Sequence, residues 1–267
     1  NLSTRAIDAG DHIHLTVKIT DAHTALLQAI TLAPWDEYPL NFYYRPFPGS
    51  WGMEDLVTLS KLINSGATEE TIIDRYKLEN FYQIENGKKI IRLYTHITFD
   101  KDDEFEPIGT ETNPFRDMVL DGNGYRISGI TIESPEADYL GLLGVVQDVT
   151  VRNLTVTNTN IEGKNYIGTF VGKSLGGLLI DQCFTRESTL VGNENIGGLI
   201  GTTVASDVIR NCGMNIKTLS GIKNIGGIAG ETLGLIGNSY TIISGGISCS
   251  NSNAGGLIGR NIGRVEN

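Results

Sequence analysis

The sequence predicts a mostly β chain: a right-handed parallel β-helix (a β-solenoid) of about five coils, with an N-terminal α-helical cap and a short β extension. Three observations predict it. First, five phrases recur: Tyr139-Leu-Gly-Leu-Leu-Gly144, Ile167-Gly-Thr-Phe-Val-Gly172, Ile196-Gly-Gly-Leu-Ile-Gly201, Ile225-Gly-Gly-Ile-Ala-Gly230 and Ala254-Gly-Gly-Leu-Ile-Gly259. Their final glycines step by 28, 29, 29 and 29 residues. Such a period marks a stack of coils, each too small to bury its apolar face alone. Second, apolar residues keep the same beat, with Ile161, Leu190, Leu219 and Ile247 stepping by 29, 29 and 28. Third, glycine is lopsided: 6 of the 33 precede residue 121 and 27 follow it. The right hand follows from the general preference of parallel crossovers.

At 267 residues the chain has room for one or two ordinary domains. The expected division is a β extension and proline-rich connector over 1–50, a helical cap over 51–80 and the solenoid over 81–267. Acidic residues outnumber basic ones by 31 to 21, a net charge of −10. That balance argues against nucleic acid or an anionic membrane as partner, since both need clustered Lys and Arg. No stretch reaches the ~18 apolar residues of a membrane span. The chain lacks an initiator Met and stops inside a repeat at Val265-Glu266-Asn267, so a piece of something longer is expected.

Ile13-His-Leu-Thr-Val-Lys-Ile19 alternates apolar and polar as a half-buried strand does, and Ala25 to Leu32 is placed to pair back on it. His12 and His14 share a strand face, but with no third ligand nearby a solvated face is preferred to a metal pair. Pro34, Pro39, Pro46 and Pro48 mark an irregular connector. From Met53 to Ser65, Leu56, Leu59, Leu62 and Ile63 fall on one helical face. Glu54 and Asp55 suit the first turn of that helix and Gly66 its stop. A lone amphipathic helix before a solenoid fits a cap over the open edge of the first coil.

Tyr76 to Phe99 reads as strands joined by an Asn86-Gly87 turn. In the acidic run that follows, Asp100, Asp102, Glu104 and Glu111 copy part of the EF-hand spacing. Phe105 stands where that loop needs glycine, so a solvated turn is preferred to a calcium site. Asp121-Gly-Asn-Gly124 is a turn, and Arg126 to Ile132 alternates as a strand. Cys183 and Cys212, 29 apart, read as a stacked core pair in preference to a redox pair, with Cys249 alone. Asn195, Asn224 and Asn253 step by 29 and are read as an amide ladder at a turn.

Two segments resemble known families. Ala9-Gly-Asp-His-Ile-His-Leu-Thr-Val-Lys-Ile19 with Ile30-Thr-Leu-Ala-Pro-Trp35 resembles the closing strands of fimbrillin-like domains of Bacteroides-type surface proteins. Over 53–267, the Asp55-Leu-Val helix, Ile63-Asn-Ser-Gly-Ala67, Pro107-Ile-Gly-Thr110, Pro114-Phe115, Leu120-Asp-Gly-Asn-Gly-Tyr-Arg-Ile127 and the Gly-Gly-Leu-Ile-Gly phrases look like proteins with the GLUG motif. That resemblance implies a β-helix-like solenoid, often in adhesin-like surface proteins of bacteria. Some members join the repeat to an immunoglobulin-cleaving metalloprotease. The histidines here are His12, His14, His23 and His96, and no His-Glu-x-x-His occurs, so that activity is not carried over.

In the glycine-rich phrase, period two sets Leu142, Phe170, Leu199, Ile228 and Leu257 on one face. It sets Leu143, Val171, Ile200, Ala229 and Ile258 on the other. Either the first column is an exposed apolar stripe, and so a candidate binding site, or a bend at the paired glycines buries both. No catalytic or metal residues stand out. Asp148, Arg152, Asp181, Arg186, Asp207 and Arg210 come nearest to a polysaccharide-active pattern, but the three aspartates sit 4, 9 and 6 residues after their preceding final glycines. The expected function is extracellular, cell-surface adhesion to a host or bacterial surface protein or glycan, without cofactor. A polysaccharide lyase or hydrolase and a structural spacer are the alternatives.

Overall fold

The computed structural model describes residues 11–21, 24–34, 52–66 and 81–266. The chain divides into two compact units, 1–44 and 45–267. In the first, β1 (Asp11–Asp21) and β2 (Thr24–Pro34) form an antiparallel hairpin, with Ile13 opposite Leu32 and Leu15 opposite Ile30. The side chains of His12 and His14, the proline-rich connector and residues 67–80 lie outside the described residues.

The second unit is the solenoid. Among the described residues its strands gather into sheets of six, eight and eleven strands, and every pairing between successive rungs is parallel. The 29-residue beat is the register itself: Ile161 pairs with Leu190, Leu190 with Leu219 and Leu219 with Ile247. The six-stranded sheet holds one strand per rung, so there are about six rungs where five were expected. The extra rung, through Phe115–Arg116, precedes the first glycine-rich phrase and so is silent in that motif. Phe115, Leu120, Ile127, Val151, Ile180, Ile209 and their neighbours fill the interior.

Helix α1 (Met53–Asn64) closes the N-terminal end. It buries Leu56 and Leu59 in the core. It also supplies hydrogen bonds that a preceding rung would have made. The Asn64 side chain accepts the Gly109 N–H at 2.8 Å and donates to the Pro107 carbonyl at 3.0 Å, while the Ser60 hydroxyl donates to the Glu106 carbonyl at 2.7 Å. On its other side the same stretch bonds the next rung, Ile108 N–H to the Leu142 carbonyl and Gly144 N–H to the Ile108 carbonyl. One amide side chain thus imitates a peptide group along a bare edge, which would otherwise invite strand addition. Beside the helix, β3 (Gln83–Glu85) and β4 (Lys88–Arg92) pair antiparallel around Asn86 and Gly87, both left-handed at φ 50 and 75.

The glycine-rich phrase is not one strand. Glu194–Gly197 belongs to the eleven-stranded sheet and Ile200–Thr202 to the six-stranded one, with a bend at Gly198 and Leu199 between them. A Cβ on Gly198 would collide with the Gly227 carbonyl of the next rung, so only glycine lets the corners stack. The bend turns both apolar columns inward. Leu142, Phe170, Leu199 and Ile228 are fully buried, and so are Leu143, Val171, Ile200 and Ala229. The exposed stripe is therefore corrected: four of its five residues are core. Leu257 alone is 38% exposed, because it lies on the last described rung with no further rung over it.

Candidate functional site

The corner where the eight-stranded sheet passes the chain to the eleven-stranded sheet is built differently. Leu154, Cys183 and Cys212 point into the core with no exposed surface. To bring them inward directly after a strand, the backbone must turn sharply. The turning residues, Asn123, Asn153, Gln182, Asn211 and Asn238, take left-handed φ of 51, 52, 55, 56 and 45. Asparagine tolerates that region because its short polar side chain bonds locally. The strand then resumes with Thr155, Phe184, Gly213 and Tyr240, which are register partners on consecutive rungs.

Beside the turning amides runs a column of alternating charge. Arg92, Asp121, Arg152, Asp181 and Arg210 are successive register partners. Asp121 lies between Arg92 at 3.4 Å and Arg152 at 2.9 Å, and it also accepts the Asn123 backbone N–H at 2.9 Å. Asp181 accepts two bonds from Arg210, at 2.8 and 3.1 Å, and one from the Asn211 amide at 2.8 Å. Burial pushes both carboxyls up, but the backbone, Arg and Asn donors outweigh it and hold both below the usual aspartate value. Both acids are held as anions, and the column's three arginines are balanced by these two aspartates together with Glu85, which lies 2.6 Å from Arg92.

Between these elements lies a shallow groove of about 650 Å³, lined by Asn123, Asn153, Thr155, Gln182, Phe184 and Asn211. Phe184 is 37% exposed and Tyr240, one rung beyond Asn211, is 55% exposed. A Cβ on Gly213 would lie 2.6 Å from Tyr240 Cζ, so the Tyr240 ring occupies the space that the glycine leaves. Among the described residues the Gln182 side chain makes no hydrogen bond. The groove escaped the sequence reading, though its signal was present: Asn153, Gln182 and Asn211 step by 29, and so do Arg152, Asp181 and Arg210.

The other sequence candidates fall elsewhere. Asn224 donates to Asn195 at 2.8 Å and Asn253 donates to Asn224 at 2.7 Å, with Asn195 and Asn224 buried, so this ladder is structural. Tyr139 and Tyr166 continue the same column of left-handed turning residues. Their rings stack at 5.2 Å, with Lys173 5.0 and 5.7 Å from the two centroids and 2.9 Å from Glu111. Cys183 and Cys212 are free thiols in the core. Burial raises both, Cys212 to about 12, which leaves them unreactive. Asp207 is buried at a turn, where it accepts the Leu178 and Val204 N–H groups at 3.0 and 2.8 Å; burial raises its carboxyl. The acidic run folds as a turn in which Asp103 accepts the Asp100 N–H at 2.6 Å. Among the described residues no group of three or more His, Cys, Asp or Glu is placed to hold a metal.

No family model matches the chain. A stretch of 89 residues, 33% of this chain, is 37% identical to halomucin of Haloquadratum walsbyi, of which it spans 1%. A stretch of 76 residues, 27% of this chain, is 38% identical to a protein of Evansella cellulosilytica described as a Gly-rich membrane protein, of which it spans 9%. The chain thus covers only a small part of both relatives. Among solved structures, a Bacteroides ovatus chain described as an immunoglobulin A1 protease aligns with a TM-score of 0.57 at 24% identity, over 65% of this chain and 56% of that one. That likeness is one of fold. Among the described residues no helix is long and apolar enough to cross a membrane. The chain is a glycine-rich β-solenoid, related in sequence over about a third of its length to these two much larger proteins.

Proposed function

We propose that this chain is a binding module of a surface-held or secreted protein, acting in adhesion, and that it presents the groove along Asn153, Gln182 and Asn211 to a host or neighbouring-cell ligand. The observation that carries the reading is the groove: hydrogen-bonding side chains recur on successive rungs of a rigid stack, with exposed aromatic rings at Phe184 and, two rungs on, Tyr240. A spacer has no use for such a surface. The GLUG-like and fimbrillin-like residues point the same way, as do the relatives named halomucin and Gly-rich membrane protein.

Binding without turnover is part of the proposal. General acid catalysis needs a carboxyl able to hold a proton near neutral pH. Asp121 and Asp181, the acids beside the groove, are driven the other way against burial, Asp121 by the Asn123 N–H and then Arg152, Asp181 by Arg210 and then Asn211. Asp207 is raised, but its oxygens are occupied by backbone N–H groups beneath the surface. The reading needs neither cofactor nor nucleic acid.

The test is retention of the purified chain on immobilised mucin, matrix proteins and a polysaccharide panel, with released reducing ends read from the same wells. Saturable retention without new ends, weakened by Gln182→Ala and unchanged by Thr189→Ala, further along the strand of Phe184 and outside the groove lining, is the expected result. New reducing ends would overturn binding without turnover. Silence across the panel would leave the spacer.

A further inference from the structure

We propose that the groove takes a neutral, extended polysaccharide, lying along the solenoid axis with one sugar ring stacked on Tyr240 and its hydroxyls held by Gln182 and the neighbouring turn amides. The proposal rests on the reading of this corner as a binding groove and names its ligand class.

Four observations select that class. The first is what the backbone does not offer. The strands that line the groove are paired on both sides by the rungs before and after them, so no free edge remains along it for a peptide to join as a strand; the strand of Tyr240, beyond the lining, pairs among the described residues with Gly213–Ile216 alone. Recognition has to come from side chains.

The second is Tyr240. Its ring lies over the bare Gly213 backbone and remains 55% exposed. A glycine beneath an aromatic ring makes a platform rather than a protruding side chain. One face of a pyranose carries axial C–H groups, and these pack on such a ring much as apolar groups pack on aromatics within a core. Phe184, two rungs away in the same column, offers a second apolar surface.

The third is the polar inventory. Gln182 keeps both its donors and its acceptor uncommitted among the described residues. Asn153 spends its amide on Asp121 at 3.4 Å and keeps its side-chain carbonyl. A primary amide matches a pair of vicinal hydroxyls, donating to one and accepting from the other. The charged column adds no net charge once Glu85 is counted: Asp121 and Asp181 answer Arg152 and Arg210, and Glu85 answers Arg92. With a chain charge of −10, a polyanion is repelled and a neutral polyol is not.

The fourth is spacing. Stacked strands are about 4.8 Å apart, so equivalent positions recur at about that rise. An extended β-linked pyranose chain advances by a similar distance per ring. Successive sugars therefore meet equivalent rungs, and a sugar on the Tyr240 ring, which lies over Gly213, places its neighbour toward the adjacent rung at Phe184.

The experiment is affinity electrophoresis of the full chain in gels containing soluble neutral β-linked glucan, xylan or mannan, with polygalacturonate as the acidic control and casein and gelatin as protein controls. The variants are Tyr240→Ala, Tyr240→Phe and Gly213→Ala, each checked for an unchanged cooperative melt. Retardation by at least one neutral polymer is expected, weakened about tenfold by Tyr240→Ala and kept by Tyr240→Phe, which retains the ring. Gly213→Ala, which pushes the ring off its platform, should weaken retardation too. Retardation by a neutral polymer that Tyr240→Ala does not weaken would overturn the platform. Retardation only by polygalacturonate, or only by the proteins with dependence on Gln182, would overturn the ligand class while leaving the binding module standing. Mobility unchanged in every gel, together with silence in the mucin and matrix assay, would remove both.

Discussion

Two corners of the same coil, one on each side of the eleven-stranded sheet, solve the same geometric problem in opposite ways. At the glycine-rich corner the chain bends by having no side chain, and everything around the bend is buried: Phe170, Leu199, Ile228 and the amides of Asn195 and Asn224. At the amide corner the chain bends by taking left-handed φ at Asn153, Gln182 and Asn211, and the side chains that result face solvent. The first device gives dry contact between rungs and tolerates almost nothing. The second leaves a repeating row of polar groups at the surface, which evolution can alter without disturbing the stack. Regularity that is buried builds the fold, whereas regularity that is exposed is free to serve recognition.

The largest effect should come from placing a side chain at the dry corner. Gly198→Val drives a branched side chain into the Gly227 carbonyl. The cost should be about 3 kcal/mol or more, the upper end for overpacking a core. Urea unfolding followed by circular dichroism would show it as a large fall in midpoint, or as failure to fold. A midpoint close to that of the parent chain would mean that the rungs slide apart easily, and the contrast between the corners would lose its basis.

A matched pair of asparagines sharpens the comparison. Asn224 is 2% exposed and bonded to Asn195 and Asn253 on either side. Asn211 is exposed and bonds Asp181 at 2.8 Å. Asn224→Ala should cost about 2 kcal/mol, since it leaves the buried Asn195 amide short of a partner and cuts the ladder to the exposed Asn253, and Asn211→Ala about 1 kcal/mol or less. Equal costs in urea unfolding would mean that the left-handed φ shared by the two residues, and not the buried ladder, decides how much each contributes.

Acid should reach the amide corner first. Asp121 has its folded pKa held below the ordinary 3.8 by the Asn123 N–H and Arg152, against the opposing effect of burial. A depressed carboxyl contributes stability that is present above its unfolded value and is lost as pH falls through the folded one. The melting temperature should therefore drop as pH falls below 3.8. In Asp121→Asn the melt should start lower at neutral pH and lose less across that window. Parallel curves for the two proteins would show that Asp121 is not the group responsible. Asp207, raised by burial, acts with the opposite sign: its contribution is full below the ordinary value and fades as pH rises through the folded one, which blunts the acid loss.

The contrast also explains which features were legible in the sequence. The glycine phrases were, because a position that admits only one residue type repeats it visibly. The rung through Phe115 fell inside the expected solenoid at 81–267 but was not counted as a coil, because it reaches the same corner without the phrase. The two apolar columns were legible, but whether the strand bent between them depended on the approach of Gly227 from the next rung, a tertiary fact. The charge column was hidden by comparing Asp148, Asp181 and Asp207 with one another. Its members alternate in sign, so the register becomes visible only when Arg152 and Arg210 are counted with Asp181. Asn64 carried no signal at all, since an amide that closes a sheet edge looks in sequence like any other residue near the end of a helix.

The smallest stability effect is the most informative for function. Gln182→Ala removes a side chain with no hydrogen-bond partner among the described residues, at an exposed position of the groove. Its effect on stability should stay within about 0.5 kcal/mol, as for surface positions that support nothing. A residue that stability does not require, held in register with Asn153 and Asn211 on a rigid wall, is one whose effect should appear in ligand retention instead. If Gln182→Ala lowered the unfolding midpoint as Asn224→Ala is expected to, the amide corner would be scaffold like the glycine corner. A normal melt with weakened retention would separate the two corners, one maintaining the stack and the other making contact.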